Sequence, residues 1–264
     1  MKGKVFMVLA LVAALFTSCS DDDSNNTPDN LAGKVIGKWM MTQFNGRYVT
    51  TNEMMVYTIL SPTSGYVTTS GVDFSENQMK WTNRVPCDVA INGNTVSLRG
   101  NFDKNISFEG ELVVNSIIPI EMLAESKYNV YSDGRLVSGD NGGTILWTNV
   151  VKDHSEGIRG TWEGVDNGLY GDGQLHRWQF NDNGTYIYYR QNANGEWVAD
   201  VNSTGEYIVD GILLCTRWAD NNGVEKRERW EIASINHGFM IWYAIRQHAD
   251  GTIYTTTLNM IKIQ

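Results

Sequence analysis

The sequence predicts an all-β protein of two antiparallel up-and-down meander β-barrels in tandem, with two-sheet β-sandwiches as the alternative closure. Composition is the first ground. Of 264 residues, 42% are hydrophobic and only 19% charged, with 26 Gly, 12 Tyr and 9 Trp against 4 Pro. Aromatic and Gly-rich chains suit short strands joined by tight turns, and they are unlike disordered or coiled-coil sequences. Period-two alternation is the second ground, with helical periodicity nearly absent. The third is that the chain reads twice.

In chain order, the first element lies outside the fold. Lys2 and Lys4 precede an apolar run at residues 5–16. About a dozen apolar residues are too few to span a bilayer but suit a signal peptide. Residues 16–19, Phe-Thr-Ser-Cys, resemble a bacterial lipobox, with Phe16 where Leu is usual. The resemblance implies a signal peptide at residues 1–18 and a diacylglycerol on the Cys19 thiol. Acyl chains in twos or more anchor stably where one is marginal. Residues 19–32 follow as an acidic flexible tether with Asp21, Asp22, Asp23 and Pro28 and little to bury. An acidic run directly after a lipidated Cys resembles the export signal of Bacteroidetes surface lipoproteins. That resemblance implies a lipid-anchored protein on the cell outer membrane, exposed at the surface.

Residues 33–153 and 157–264 are the two predicted β domains. Residues 36–40 read Ile-Gly-Lys-Trp-Met, and residues 159–163, 123 positions later, read Arg-Gly-Thr-Trp-Glu. Each half carries Phe-x-acid-Asn, at Phe74 and at Phe180. Each carries a hairpin signal, Asn92-Gly93 or Asp210-Gly211, and a late Asp-Gly, at Asp133 or Asp250. The spacing from hairpin Gly to late Gly is 41 in one half and 40 in the other. The Asn-Gly and Asp-Gly pairs predict type I′ turns. The spacing from the early Trp to the Phe differs, 35 against 18, so the first half has a longer early connection. The pattern is that of a diverged internal duplication, divided at polar residues 152–157. It predicts that residues from about 158 to 264 fold alone.

Strands are clearest in the second half. They are expected at Trp162 and at residues 175–180, 185–190, 206–209, 212–218, 227–232, 239–246 and 253–263, each bounded by Gly, Asn or Asp. On the first of these ranges His176, Trp178 and Phe180 share one face. The one helix candidate is residues 119–126, Pro-Ile-Glu-Met-Leu-Ala-Glu-Ser. Cys87 and Cys215 fall in different halves and read as free, buried thiols rather than a disulfide.

A Gly-x-Trp on the first strand, followed by a meander of about eight strands, resembles the lipocalin (calycin) superfamily. It is similar to the lipocalin-like domains found singly or in tandem in secreted Bacteroidetes lipoproteins. The resemblance implies that Trp39 and Trp162 close the barrel bases, with Arg246 as the basic partner in the second half.

Several functions are excluded or disfavoured. A net charge of −9 argues against nucleic acid, which requires clustered Lys and Arg. No Gly-x-Ser-x-Gly, His-Glu-x-x-His or phosphate loop occurs, so no enzyme activity and no cofactor are expected. His154, His176, His237 and His248 are scattered, so no metal site is expected. Asn181 to Gly184 suits a hairpin better than a calcium loop. Glu109 and Glu111 have glycosidase-like separation but sit on the wet face of a half-buried strand.

Arg177, Arg217, Arg229 and Arg246 lie on aromatic-rich strands beside or near Trp178, Trp218, Trp230 and Trp242. Neighbours on a strand face opposite ways. These arginines either point inward, as a cationic lining for an anionic ligand, or outward, in ordinary ion pairs. Arg177, Arg217, Arg229, Trp197 and Tyr170 are the candidate ligand-binding residues. The expected function is a membrane-anchored surface lipoprotein that binds a small apolar, amphipathic or anionic ligand. The alternatives are a glycan-binding accessory module of an uptake system, with Trp197 and Tyr170 on an exposed rim, and a structural or adhesion component without a pocket.

Overall fold

The computed structural model describes residues 31–69, 82–102, 104–139, 142–166 and 172–263. Cys19, Tyr170, the signal peptide, most of the tether and the motif at Phe74 lie outside the described residues.

The first half begins with a short helix, α1 (Leu31–Val35). Its strands are β1 (Gly37–Phe44), β2 (Arg47–Tyr48), β3 (Val56–Ser61), β4 (Ser64–Thr69), β5 (Thr82–Asn92), β6 (Thr95–Asn101), β7 (Ile106–Ile117), β8 (Glu121–Ser132), β9 (Arg135–Gly139) and β10 (Gly143–Asn149). Strands β1, β3, β4, β5, β6, β7, β8 and β10 pair in chain order, and β10 returns to β1. Strands β2 and β9 pair outside this ring. A 3-10 turn, Thr51–Glu53, links β2 to β3.

The second half contains β11 (Gly160–Asp166), β12 (Leu175–Phe180), β13 (Thr185–Gln191), β14 (Trp197–Ala199), β15 (Gly205–Asp210), β16 (Leu213–Ala219), β17 (Glu225–Asn236), β18 (Phe239–Gln247) and β19 (Ile253–Lys262). All but β14 form a second ring, closed by β19 on β11. Both halves are therefore closed, eight-stranded antiparallel barrels, and neither is a sandwich. Closure leaves no ring strand with an unpaired edge.

Three local features depart from the sequence expectations. The helix expected at residues 119–126 is absent; residues 121–132 form a strand. Their burial has period two, with Met122, Ala124 and Ser126 buried and Glu121 and Glu125 exposed. Burial against the barrel interior outweighs the local helix propensity of Glu, Met, Leu and Ala. The predicted I′ turns at Asn92-Gly93 and Asp210-Gly211 have a different geometry. Asn92 pairs with Thr95 and Asp210 with Leu213, so Gly93 and Gly211 are first of two loop residues. Only those glycines have positive φ, 59° and 67°, which is the type II′ pattern. Asn45-Gly46 and Asp133-Gly134, with both residues at positive φ, are the I′ turns. Trp197, expected in a connection, begins the short strand β14.

The duplicated Gly-x-Trp has a physical basis. Gly37 and Gly160 have φ of 146° and 114°, values that side chains rarely adopt. Each glycine redirects the chain so that the Trp two residues on points inward. Trp39 and Trp162 are buried. Their indole N–H groups donate to the carbonyls of Val35 (2.8 Å) and Ile158 (2.6 Å), four residues back in each case.

The barrels pack against each other. Met40, Val49, Met54, Val56 and Val150 of the first form one apolar cluster with Leu213 and Cys215 of the second. Thr51 Oγ1 accepts from the Ile245 amide at 2.8 Å, and Asn52 Oδ1 accepts from the Arg229 amide at 3.1 Å. The turn between β2 and β3 thus docks on the outer wall of β17 and β18.

Candidate functional site

The second barrel encloses a cavity of about 200 Å³. Alternation places its lining. On β12, His176 and Trp178 point inward; on β13, Tyr186 and Tyr188, with the exposed Arg190 at the mouth; on β17, Glu228 and Trp230. Trp218 and Trp242 complete the aromatic wall. Trp178 meets Trp242 edge-on at 5.2 Å and Tyr188 at 5.1 Å, and Trp230 lies 5.7 Å from Trp242. Such tilted packing holds the rings rigidly.

Each charged lining group already has a counter-charge. Arg190 Nε lies 2.9 Å from Asp200, with its guanidinium 5.3 Å above the Tyr188 ring. Glu228 pairs with Arg246 at 3.1 Å. His176 Nε2 lies 2.8 Å from Asp172, while Nδ1 shares a hydrogen bond with the Tyr188 hydroxyl. Slight burial pushes the Asp172 carboxyl up, but the Gln174 amide, His176 and Arg190 hold it below the ordinary value. Burial pushes the Tyr188 hydroxyl up, against the pull of Arg190. The phenol therefore stays protonated and can hydrogen-bond at neutral pH.

Arg190, Ser203 and Trp218 also line a wider vestibule of about 580 Å³, together with Asp200, Asp220 and Lys226. The cavity therefore opens toward the loops that follow β14 and β16.

The sequence-predicted residues do not converge there. Arg177 faces outward. It pairs with Glu163 across β11 and β12, and its guanidinium lies 4.1 Å over the Trp197 ring. Arg217 also faces outward, with Nε 2.8 Å from Glu206. Arg229 lies on the outer wall too, yet it is buried, because the first barrel covers it. Its guanidinium donates to the Met54 carbonyl. Of the two orientations open to these three, the structure shows the outward one, since each has its Trp neighbour inside. Arg246 shares the inner side of β18 with Trp242 and Ala244 but lies 4.7 Å over Trp230. The cation near Trp162 is instead Lys262, at 5.2 Å. Arg246 is seven residues along β18 from Phe239, which pairs beside Lys262, so it sits at the other end of the barrel.

Arg190 and Glu228 were not singled out from sequence. The legible signal was Tyr186-x-Tyr188-x-Arg190, a period-two set on one strand. Cys87 and Cys215 are free and buried, as expected. Burial raises both thiol pKa values, that of Cys87 to about 11. Glu109 faces solvent with Arg99 at 3.4 Å. Among the described residues, no cluster of His, Cys, Asp or Glu is arranged to hold a metal.

The first barrel has its own cavity of about 190 Å³, lined by Tyr57, Ser126, Tyr128 and Trp147 among others. Tyr57 stacks on Trp147 at 4.6 Å.

A scan against protein-family models finds no match, and a search of curated proteins finds none either. Among solved structures, a double mutant of the vaccine antigen transferrin binding protein B from Haemophilus parasuis Hp5 is similar at a TM-score of 0.24 and 8% identity. The match covers 82% of this chain and 61% of that one, so this chain spans less than two thirds of that protein's length.

Proposed function

We propose that this protein is a lipid-anchored, surface-exposed binding protein that takes a small amphipathic molecule into its second barrel. The observation that carries this reading is the cavity itself: an aromatic wall, polar groups among the rings, and a vestibule leading in. Ligand pockets combine apolar walls with a few placed polar groups in this way. The volume is of the order of the ~150 Å³ cavity that holds benzene, so the ligand is small or extends into the vestibule. Because Arg190, Glu228 and His176 already have partners, an uncharged ligand that hydrogen-bonds fits better than an anion. The anchor rests on the lipobox-like residues before Cys19. The chemistry proposed is binding, not catalysis.

The glycan reading requires a flat, exposed aromatic platform. Among the described residues no Trp is exposed, Arg177 covers the Trp197 ring, and the exposed aromatics Tyr48 and Phe239 lie on different barrels. This observation favours the cavity over the platform.

Native mass spectrometry of protein isolated from its source tests for a retained small molecule. In parallel, 2-naphthol, a planar apolar body with one hydroxyl, serves as a probe of the recombinant chain. We expect saturable quenching of tryptophan fluorescence, with affinity about tenfold lower in Trp218→Ala. Absence of saturable binding, or binding indifferent to Trp218→Ala, would remove the proposal.

A further inference from the structure

We infer that the first barrel holds a second, separate site, for a small apolar molecule bearing one hydrogen-bond acceptor such as a ketone or ester carbonyl. The site does not depend on the reading of the second barrel.

The key observation is a pair of donors. The Trp147 indole nitrogen and the Tyr128 hydroxyl are buried, and neither has a hydrogen-bond partner among the described residues. Both residues line the same cavity. Buried polar groups are nearly always paired, so two orphans on one cavity call for an explanation. An indole N–H can only donate, while a phenol donates or accepts. An acceptor oxygen seated at that wall would answer either donor. Burial pushes the Tyr128 hydroxyl far above its ordinary pKa, helped by Tyr57 and Cys87, so it remains a donor at any physiological pH.

The rest of the wall selects the ligand's body. Met41, Phe44, Met55 and Ile145 are apolar, so a polar body would lose its hydration without replacement. Charge is confined to the rim, where Arg47 and Glu53 lie 3.5 Å apart and half exposed. Glu53 is fixed there by the Thr50 amide (2.7 Å) and hydroxyl (2.8 Å). That rim is built from β2 and the 3-10 turn, which lie outside the closed ring. Entry past Arg47 thus breaks no ring pairing. The second barrel differs, with His176 and Glu228 among its aromatic lining, so the two barrels select different molecules.

The test uses the full chain with ¹⁵N-labelled indoles and two probes of nearly the same shape. Acetophenone carries a carbonyl oxygen; isopropenylbenzene carries a methylene in its place. Trp147→Phe assigns the Trp147 indole signal. Acetophenone should shift that signal saturably, and isopropenylbenzene should bind about three- to tenfold more weakly for each donor lost. Tyr128→Phe removes an atom with no partner, so it should leave folding intact and shrink the difference between the probes. Equal affinity for both probes would overturn the site, as would no response at Trp147, which would leave water as the donors' partner. A response confined to the Trp242 indole would also overturn it, while leaving the second-barrel site standing.

Discussion

The Lys38 ammonium of the first barrel is ion-paired with the Asp210 carboxylate of the second, across a seam where Asp210 is only 1% exposed. Thr68 Oγ1 donates to the same carboxylate at 2.6 Å, and Arg84 Nε lies 3.6 Å away. A buried charge is costly unless paired and hydrogen-bonded, and removing one partner of such a pair typically costs about 3–5 kcal/mol. Because Thr68 and Arg84 remain, Lys38→Met should fall near the lower end, about 3 kcal/mol, in urea unfolding. A change below about 0.5 kcal/mol would mean that the pair is solvent-screened.

The same seam bears on the independence of the halves. The duplication suggests that residues from about 158 to 264 fold alone. Yet Asp210, Leu213, Cys215 and Arg229 are buried only while the first barrel covers them. The isolated second barrel should therefore melt well below the intact chain, and the intact chain should melt in one transition. Two separate transitions in the full chain, one matching the fragment, would contradict this.

Trp39 and Trp162 perform the same task in the two barrels, each satisfying a carbonyl four residues back. Trp39→Phe or Trp162→Phe would leave the Val35 or Ile158 carbonyl buried and unpaired. Each should cost about 1–3 kcal/mol beyond the lost packing, measurable by thermal or urea melts. If only one of the two substitutions destabilises the chain, the two Trp residues are not equivalent.

His154 sets a pH dependence. Its amide donates to the Gly211 carbonyl at 2.9 Å, and its Nε2 is buried without a partner among the described residues. Burial and the nearby Lys152 hold its pKa below the ordinary 6.5, against the pull of Asp153. The unfolded chain therefore binds the proton more readily. The contribution is present above pH 6.5 and is lost as pH falls toward the lower folded value. Between pH 7 and 5 the native chain should lose stability that His154→Gln does not. Glu231, pushed up by burial, acts in the opposite sense but is common to both proteins. Parallel stability curves for the two would reject the role of His154.

Anchoring is tested at Cys19. Cys19→Ala should move the protein from the membrane pellet to the soluble fraction after fractionation of the source cells. A variant that still pellets would show that another feature holds it there.

Much of the fold was local enough to read. The expected strand at residues 175–180 matches β12 residue for residue, because alternation and the Asn-Asp-Asn-Gly turn act within a few positions. The shared face of His176, Trp178 and Phe180 followed from the same periodicity. So did the Gly-x-Trp at the start of each barrel, whose positive φ only glycine supplies readily. The helix expected at residues 119–126 marks the edge of that local information. Glu, Met, Leu and Ala favour a helix alone, and only pairing with β7 and β10 makes them a strand.

The candidate sites belong to the tertiary structure. Alternation assigns a residue to one side of a strand, but it does not say what that side meets. Arg229 and Arg217 both face outward, yet one is buried against the first barrel and the other pairs with Glu206 near solvent. Arg190 shares its side of β13 with the tyrosines, but Asp200 neutralises it only once the chain after β14 folds back. By itself the sequence determined the strands of the second half and the positions of the turns, which depend on neighbours a few residues apart. Tertiary structure decided which walls enclose cavities, which donors were left unpaired and which surfaces became a seam, because those depend on groups brought together from distant parts of the chain.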